Sequence, residues 1–321
     1  MSTLISSSAR KVYGVQRVCR VLLQSRTTFY RIAQGSSMQG KRGPKTTLND
    51  VQLLSKIRTD IFNSPWKGEG HRKIHARLNR QLPTRVGRDR VRRLMRENKL
   101  LSPHRVFPRS RKQHKGRICT HCPNILWGTD GTKIWTQKDG WVWLFATIDH
   151  WNSECVGHHI VKKGDRFAAM ESIRKGVLQC YGGLRKGIAK GLQLRMDHGS
   201  QYRSDYTQKE LEYLGIQASM AYVKEPETNG VVERFNRTLK EQVVDGVYYR
   251  NVQEVRESID RFVKKYNEAW ILSKIGYMSP VEARKKELCF PPNRQENAVP
   301  LVETRASKAS IVYPCCNGRA A

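Results

Sequence analysis

The sequence predicts an α/β fold, a mixed five-stranded sheet with flanking helices, preceded by all-α, helix-turn-helix-like segments. Three observations lead there. Over residues 1–116 apolar side chains recur at helical spacing, and 28 Lys and Arg stand against 5 Asp and Glu. After residue 122 the pattern changes to short runs of β-branched and aromatic residues separated by turn signals. From there strands and helices follow in the order βββαβαβα with one added helix, which describes a layered α/β domain.

In "VQRVCRVLLQSRTTFYRIA", Val18, Val21 and Leu22 share one helical face. Gln24-Ser25 interrupts the pattern, and Ser25 suits the cap of a second helix carrying Phe29 and Ile32. Two short helices around a tight turn suggest a helix-turn-helix-like unit over residues 1–40. Its second helix offers Arg26, Thr27, Thr28 and Arg31 to phosphates and base edges. An ordinary helical hairpin explains the same pattern equally well.

"QGSSMQGKRGPKTTLND" reads as a linker. Three helices follow: "LNDVQLLSKIRTDIFNSP", "GEGHRKIHARLNRQLP" with Ile74 and Leu78 one turn apart, and "VGRDRVRRLMRENKLLSPHR". In the last, Val91, Leu94 and Met95 face inward, while Arg90, Arg92, Arg93 and Arg96 face mostly outward. With the basic linker "SPHRVFPRSRKQHKG", residues 41–116 form a second DNA-binding segment, Arg90 and Arg93 being candidate contacts. A solvated basic helix face is the plainer alternative.

"NILWGTDGTKIW", "GWVWLFATIDHW" and "SECVGHHIVKK" read as three antiparallel strands. "DRFAAMESIRKGVLQCYGG" is a helix with Phe167, Met170, Ile173 and Val177 at helical spacing. "LQLRMDHG" is a fourth strand, "SDYTQKELEYLG" a helix and "IQASMA" a fifth strand. "TNGVVERFNRTLKEQVV" and "VQEVRESIDRFVKKYNEA" close the domain as helices, giving a core over residues 117–286. The tail, 287–321, shows little periodicity and is left unassigned.

A net charge of +31 calls for a polyanionic partner, with nucleic acid first. No run of about 18 apolar residues exists to span a bilayer, and the first residues carry no apolar signal core, so an intracellular protein is expected. The pair Cys119 and Cys122 in "CTHC" lacks a second close pair, so zinc would have an incomplete ligand set and reduced thiols are the default.

Three carboxylates carry the chemistry. Asp130 lies mid-strand, where a charge is costly unless it is exposed or bound to a metal. Asp197 ends the fourth strand, and Glu233 lies early in a later helix. Sixty-six residues separate the first two and thirty-five the last two. Such a set suits a hard divalent cation held beside a phosphate. Read alone, Glu233 serves equally well as an i,i+4 partner of Arg237. Asp149 reads chiefly as a turn cap, although it too could turn inward. Gly199 would allow a tight turn after the strand. Glu233, Arg237 and Lys240 line one stripe of their helix, beside an inward row of Val232, Phe235, Leu239 and Val243.

"WGTDGTKI", "DHGSQYRS" and "NGVVERFNRTLKEQ" together resemble the D,D(35)E core of retroviral-integrase-like transposases, most of all the second-frame transposases of bacterial insertion sequences. The likeness extends over about residues 10–286, from "YGVQRVCRVLLQSRTTFYR" to "YNEAWILSKIGYMSPVEA", where "WILSKIGYMSP" departs from the family's usual Arg-Pro-His run. It implies an RNase H-like core, with Asp130, Asp197 and Glu233 as catalytic ligands of Mg²⁺ or Mn²⁺. It also implies cleavage and strand transfer at insertion-element ends, that is, transposition by DNA integration and recombination. Lys240, and Arg237 on the same stripe, would then touch DNA beside the site. Expected partners are double-stranded DNA at element ends and target, a second copy of the chain on DNA and a first-frame protein. The expected location is the bacterial cytoplasm, on the nucleoid. The competing readings are a non-catalytic DNA-binding protein and a nuclease that cuts without joining.

Overall fold

A computed structural model describes residues 3–33, 48–102, 120–197, 199–220 and 229–289. The tail, Cys119 and both expected basic linkers fall largely or wholly outside them. The chain divides into two compact units, Met1–Ser55 and Lys56–Ala321.

The first unit contains α1 (Gly14–Val21) and α2 (Arg26–Ala33). Ser25 caps α2 as expected, its Oγ accepting the Thr28 N–H at 3.1 Å. Cys19 is the one buried side chain in α1, and α2 has none. Val21 and Leu22, from the apolar row, stand 74% and 54% exposed. The helix α3 (Asp50–Asn63) runs across the boundary into the second unit.

The second unit continues with α4 (His71–Gln81) and α5 (Arg88–Glu97). Ile74 and Leu78 of α4 and Val91, Leu94 and Met95 of α5 are buried, the inward rows read from the sequence. Arg77 joins α4 to α3 through Asp60, its Nε donating at 3.0 Å. The turn before α4 sends Trp66 into the core of the sheet domain, edge-on to Phe262 and Trp270 with ring centroids 6.0 and 4.9 Å away.

The sheet is built from β1 (Leu126–Thr136), β2 (Gly140–Asp149), β3 (Cys155–Val161), β4 (Gln193–Met196) and β5 (Gln217–Met220), in spatial order β3-β2-β1-β4-β5. The first three pair antiparallel, and β4 and β5 add parallel to β1. The mixed five-stranded sheet expected from the sequence is therefore present. The helices are α6 (Arg166–Tyr181), α7 (Ser200–Arg203), α8 (Asp205–Leu214), α9 (Gly230–Leu239), α10 (Val252–Ala269) and α11 (Pro280–Cys289). One core joins Ile134, Val142 and Leu144 of the sheet to Phe235 of α9 and Phe262 of α10. The other joins Trp127 and Phe145 to α6 and α8. Gly157 makes the second packing possible, since a Cβ there would fall 2.0 Å from the Ser172 carbonyl of α6.

Several details differ from expectation. The short α7 was not anticipated. The helix after Asn229 changes at Lys240 into a π turn, Lys240–Val244. Phe167, placed on the inward row of α6, stands 49% exposed against Tyr206, because it opens the helix beyond the sheet's cover.

Candidate active site

Asp130 sits mid-way along β1 and is half-buried. Its Oδ1 accepts the Gly131 N–H at 2.8 Å, and its Oδ2 accepts from Asn236 Nδ2 at 3.0 Å. Asp197 follows β4, whose register beside β1 pairs Gly128 with Arg195 and so brings Asp197 alongside Asp130. The Asp197 Oδ1 accepts the Gly199 N–H at 2.9 Å. Gly199 has φ −58°, so no left-handed turn is required. Its value is space, because a Cβ there would meet Asp197 Oδ1 at 2.9 Å. Glu233 occupies the first turn of α9, exposed.

The electrostatics tie these groups together. Asp130 is pushed up to about 6, first by burial, then by the Asp197 carboxylate, with Glu233 adding a smaller push. Its two hydrogen bonds oppose the rise. Among the described residues, none of the three carboxylates forms an ion pair with Lys or Arg, and the Glu233–Arg237 pair open to the sequence is not made. No three His, Cys, Asp or Glu among the described residues make a ready-formed metal cluster.

The surroundings explain how α9 is held. Asn229, just before α9, donates to the Thr129 carbonyl at 3.2 Å. Gly128 lets the helix come that close, since a Cβ would lie 2.7–2.8 Å from Asn229 Oδ1, Val232 Cγ2 and His150 Nε2. Val232, Phe235 and Leu239 are buried and Val243 is partly buried, so the inward row is as read. Tyr202 of α7 lies beneath the site, its hydroxyl 3.3 Å from Thr129 Oγ1, and burial pushes its phenol strongly up. Sequence reading missed Asn236 and Tyr202. Asn236 carried a usable signal, because position i+3 shares the helix face of Glu233.

Two other carboxylates, Asp149 and Asp139, are engaged elsewhere. Asp149 is fully buried and accepts the N–H groups of Asn124 and Trp151, each at 2.8 Å, and Arg284 of α11 at 3.3 Å. Asp139 accepts the Val252 N–H and pairs with Lys162. Of the candidate DNA contacts, Arg26, Thr27 and Arg31 are exposed on α2. On α5, Arg90 and Arg93 are half-buried, and Arg93 pairs with Glu97 at 3.1 Å. Arg237 is exposed and Lys240 half-buried where the π turn begins. Cys122 is a free, half-buried thiol. Among the described residues no helix is long and apolar enough to cross a membrane.

Comparison with known proteins gives three family matches. Two integrase core domain models match residues 120–226 and 214–280, and an HTH-like domain model matches residues 52–107. The chain is 26% identical over 285 residues to the transposase InsD for insertion element IS2A/D/F/H/I/K of Escherichia coli, covering 86% of this chain and 93% of that protein. The InsD of element IS2-9 from the same species gives the same identity, with 86% and 91% covered. Among solved structures, the simian T-cell lymphotropic virus intasome aligns with TM-score 0.45 at 16% identity, over 79% of this chain and 80% of that one. The HTLV-2 integrase catalytic core domain in complex with magnesium aligns with TM-score 0.38 at 17% identity, over 51% and 97%.

Proposed function

We propose, from the premise that this chain is an integrase-core protein of the insertion-element transposase kind, that it cuts and joins DNA at a site made by Asp130, Asp197 and Glu233. What supports this reading is that Asp197, and more weakly Glu233, act on Asp130, while among the described residues none of the three is ion-paired to Lys or Arg. The push of Asp197 and Glu233 on Asp130 would be relieved by a bound positive charge, and an all-oxygen set fits a hard divalent cation, Mg²⁺ or Mn²⁺. Bound there, such an ion supplies Lewis-acid activation of the attacking oxygen and charge stabilisation of the leaving one.

The chain's own groups do the rest. Gly131 N–H and the Asn236 amide fix the Asp130 carboxylate. The Asn229 bond to Thr129 and the bare Gly128 seat α9, and with it Glu233, against β1. Water attack at an element end frees a 3′-hydroxyl, and the same carboxylates hold that hydroxyl against a target phosphodiester. Both steps are in-line displacements at phosphorus, so one site serves both. Residues 1–40 and 41–116 bind DNA, with Arg26, Thr27, Arg31, Arg90 and Arg93 as phosphate or base contacts, and residues 117–286 carry the chemistry. Arg237 and Lys240, beyond Glu233 on its helix, hold the strand leaving the site. Two copies on paired ends, and a first-frame partner, complete the assembly in the bacterial cytoplasm.

Asp130→Asn, Asp197→Asn and Glu233→Gln should each abolish Mg²⁺-dependent cleavage and strand transfer on an element-end duplex while DNA affinity stays within about twofold. Full activity in any of the three removes that residue from the site.

A further inference from the structure

A second feature of β1 lies outside this chemistry. The β1–β2 hairpin runs on past the sheet's centre, and at its tip Trp135 and Trp141 are directly paired across the strands. They stand 53% and 56% exposed, ring centroids 5.4 Å apart and 71° between planes. Two register steps further in, on the same face, Lys133 is paired with Trp143, its Nζ 4.7 Å from that ring. Trp143 in turn stacks on Phe145 at 5.8 Å, so the aromatic row continues from solvent into the core.

The tip is held rigidly. Gln137 and Lys138 N–H donate to the carbonyls of Tyr249 and Arg250 at 2.9 and 2.8 Å, and Asp139 accepts the Val252 N–H at 2.8 Å. A braced hairpin keeping two tryptophans half in water is a surface with an occupant, since large exposed aromatic patches mark binding sites. The rim is basic: Lys133, Lys138, Lys162 and Lys163 are exposed around it. The one carboxylate at the tip, Asp139, is already taken by Lys162 at 2.7 Å. Such a rim repels a second copy of a chain of charge +31 and attracts a phosphate backbone.

We propose that Trp135 and Trp141 form a stacking platform for an unpaired base in the DNA strand flanking the reacting phosphodiester. The position of that phosphodiester rests on the proposed function; the platform itself does not. Trp135 lies five residues beyond Asp130 on β1, about 16 Å along the strand, and on the opposite face. Its ligand is therefore a nucleotide some steps from the cut rather than the reacting one. A flat aromatic surface takes any base whose face is free, and a base inside a duplex offers none.

The test measures binding by the full chain without divalent metal. Three probes are compared: a blunt duplex, the same duplex with a short unpaired tail, and that duplex with an abasic tail that keeps the phosphates. The wild type should prefer the tailed duplex to both others. Trp135→Thr with Trp141→Thr, a strand-favouring pair, should weaken binding to the tailed duplex about tenfold and leave the other two unchanged. Phe at both positions should restore most of the preference. Thermal melting verifies that each variant folds, and the Phe pair carries the test if the Thr pair does not. No tail preference in the wild type, an equal loss on all three probes, or a change in self-association without DNA each overturns the platform. A protein that prefers the tail but never cuts sinks the catalytic reading alone; one that cuts but ignores the tail sinks the platform alone.

Discussion

The helices α1 and α2 bury one side chain between them, Cys19, whereas α4 and α5 bury Ile74, Leu78, Val91, Leu94 and Met95. The second region adds an anchor in the sheet domain of its own unit. Trp66 is sunk among Phe262 and Trp270, and Gln242 of the π turn exchanges two 3.0 Å hydrogen bonds with the Lys67 backbone. Both regions are basic and both carry helical periodicity. The difference teaches that a period identifies a face but not what covers it. In the second region α4 and α5 pack on each other, and one aromatic side chain in the loop before them is sunk in the core of the sheet domain.

The largest expected break in this contrast is Trp66→Ala. It should cost roughly 3–5 kcal/mol in denaturant unfolding of the second unit, as for a large core aromatic. Leu22→Ala in the first unit should shift the same measurement by less than about 0.5 kcal/mol. A Trp66 variant of wild-type stability would mean the anchor carries no weight.

Next comes Lys73, seated 2.9 Å from the centroid of Trp270 and 3.3 Å from Glu69. Burial pushes its ammonium down to about 8 from the ordinary 10.5, with Glu69 opposing. The folded state therefore sheds this proton before the unfolded one does. The group's contribution is full above about 10.5 and is lost as the pH falls through about 8. Stability measured from pH 8 to pH 10.5 should contain a rising component that disappears in Lys73→Met. A parallel pH profile in the variant would count against the buried-ammonium account.

Gln242→Ala should have a smaller effect, about 1 kcal/mol, because its bonds to Lys67 are exposed. The smallest global effect belongs to Ser25→Ala. Loss of the cap should weaken α2 by about 1 kcal/mol, seen as faster amide exchange at its first turn, with the midpoint of the second unit unmoved.

The same contrast separates what was legible in the sequence from what was not. The strands could be read because β-branched and aromatic residues recur between turn signals, and the inward rows of α4, α5 and α9 because their spacing is helical. The three carboxylates could be picked out because each stands in a distinct motif. Their lack of ion pairs could not, since pairing depends on tertiary distance. Trp66 was invisible because a single aromatic in "NSPWKGEG" has no period. The π turn at Lys240 was invisible because periodicity does not count hydrogen bonds. Gly128 carries no signal of its own in the sequence, and only the approach of Asn229 and Val232 gives it a reason.

The Trp66 anchor has a practical consequence for handling the protein. A fragment cut to begin at the first strand leaves Phe262 and Trp270 facing an empty socket, and Lys73 no longer covers the Trp270 ring. Open aromatic sockets collect other molecules of the same kind, so such a fragment invites precipitation at the concentrations crystallisation needs. One that starts upstream of Trp66 carries its own plug.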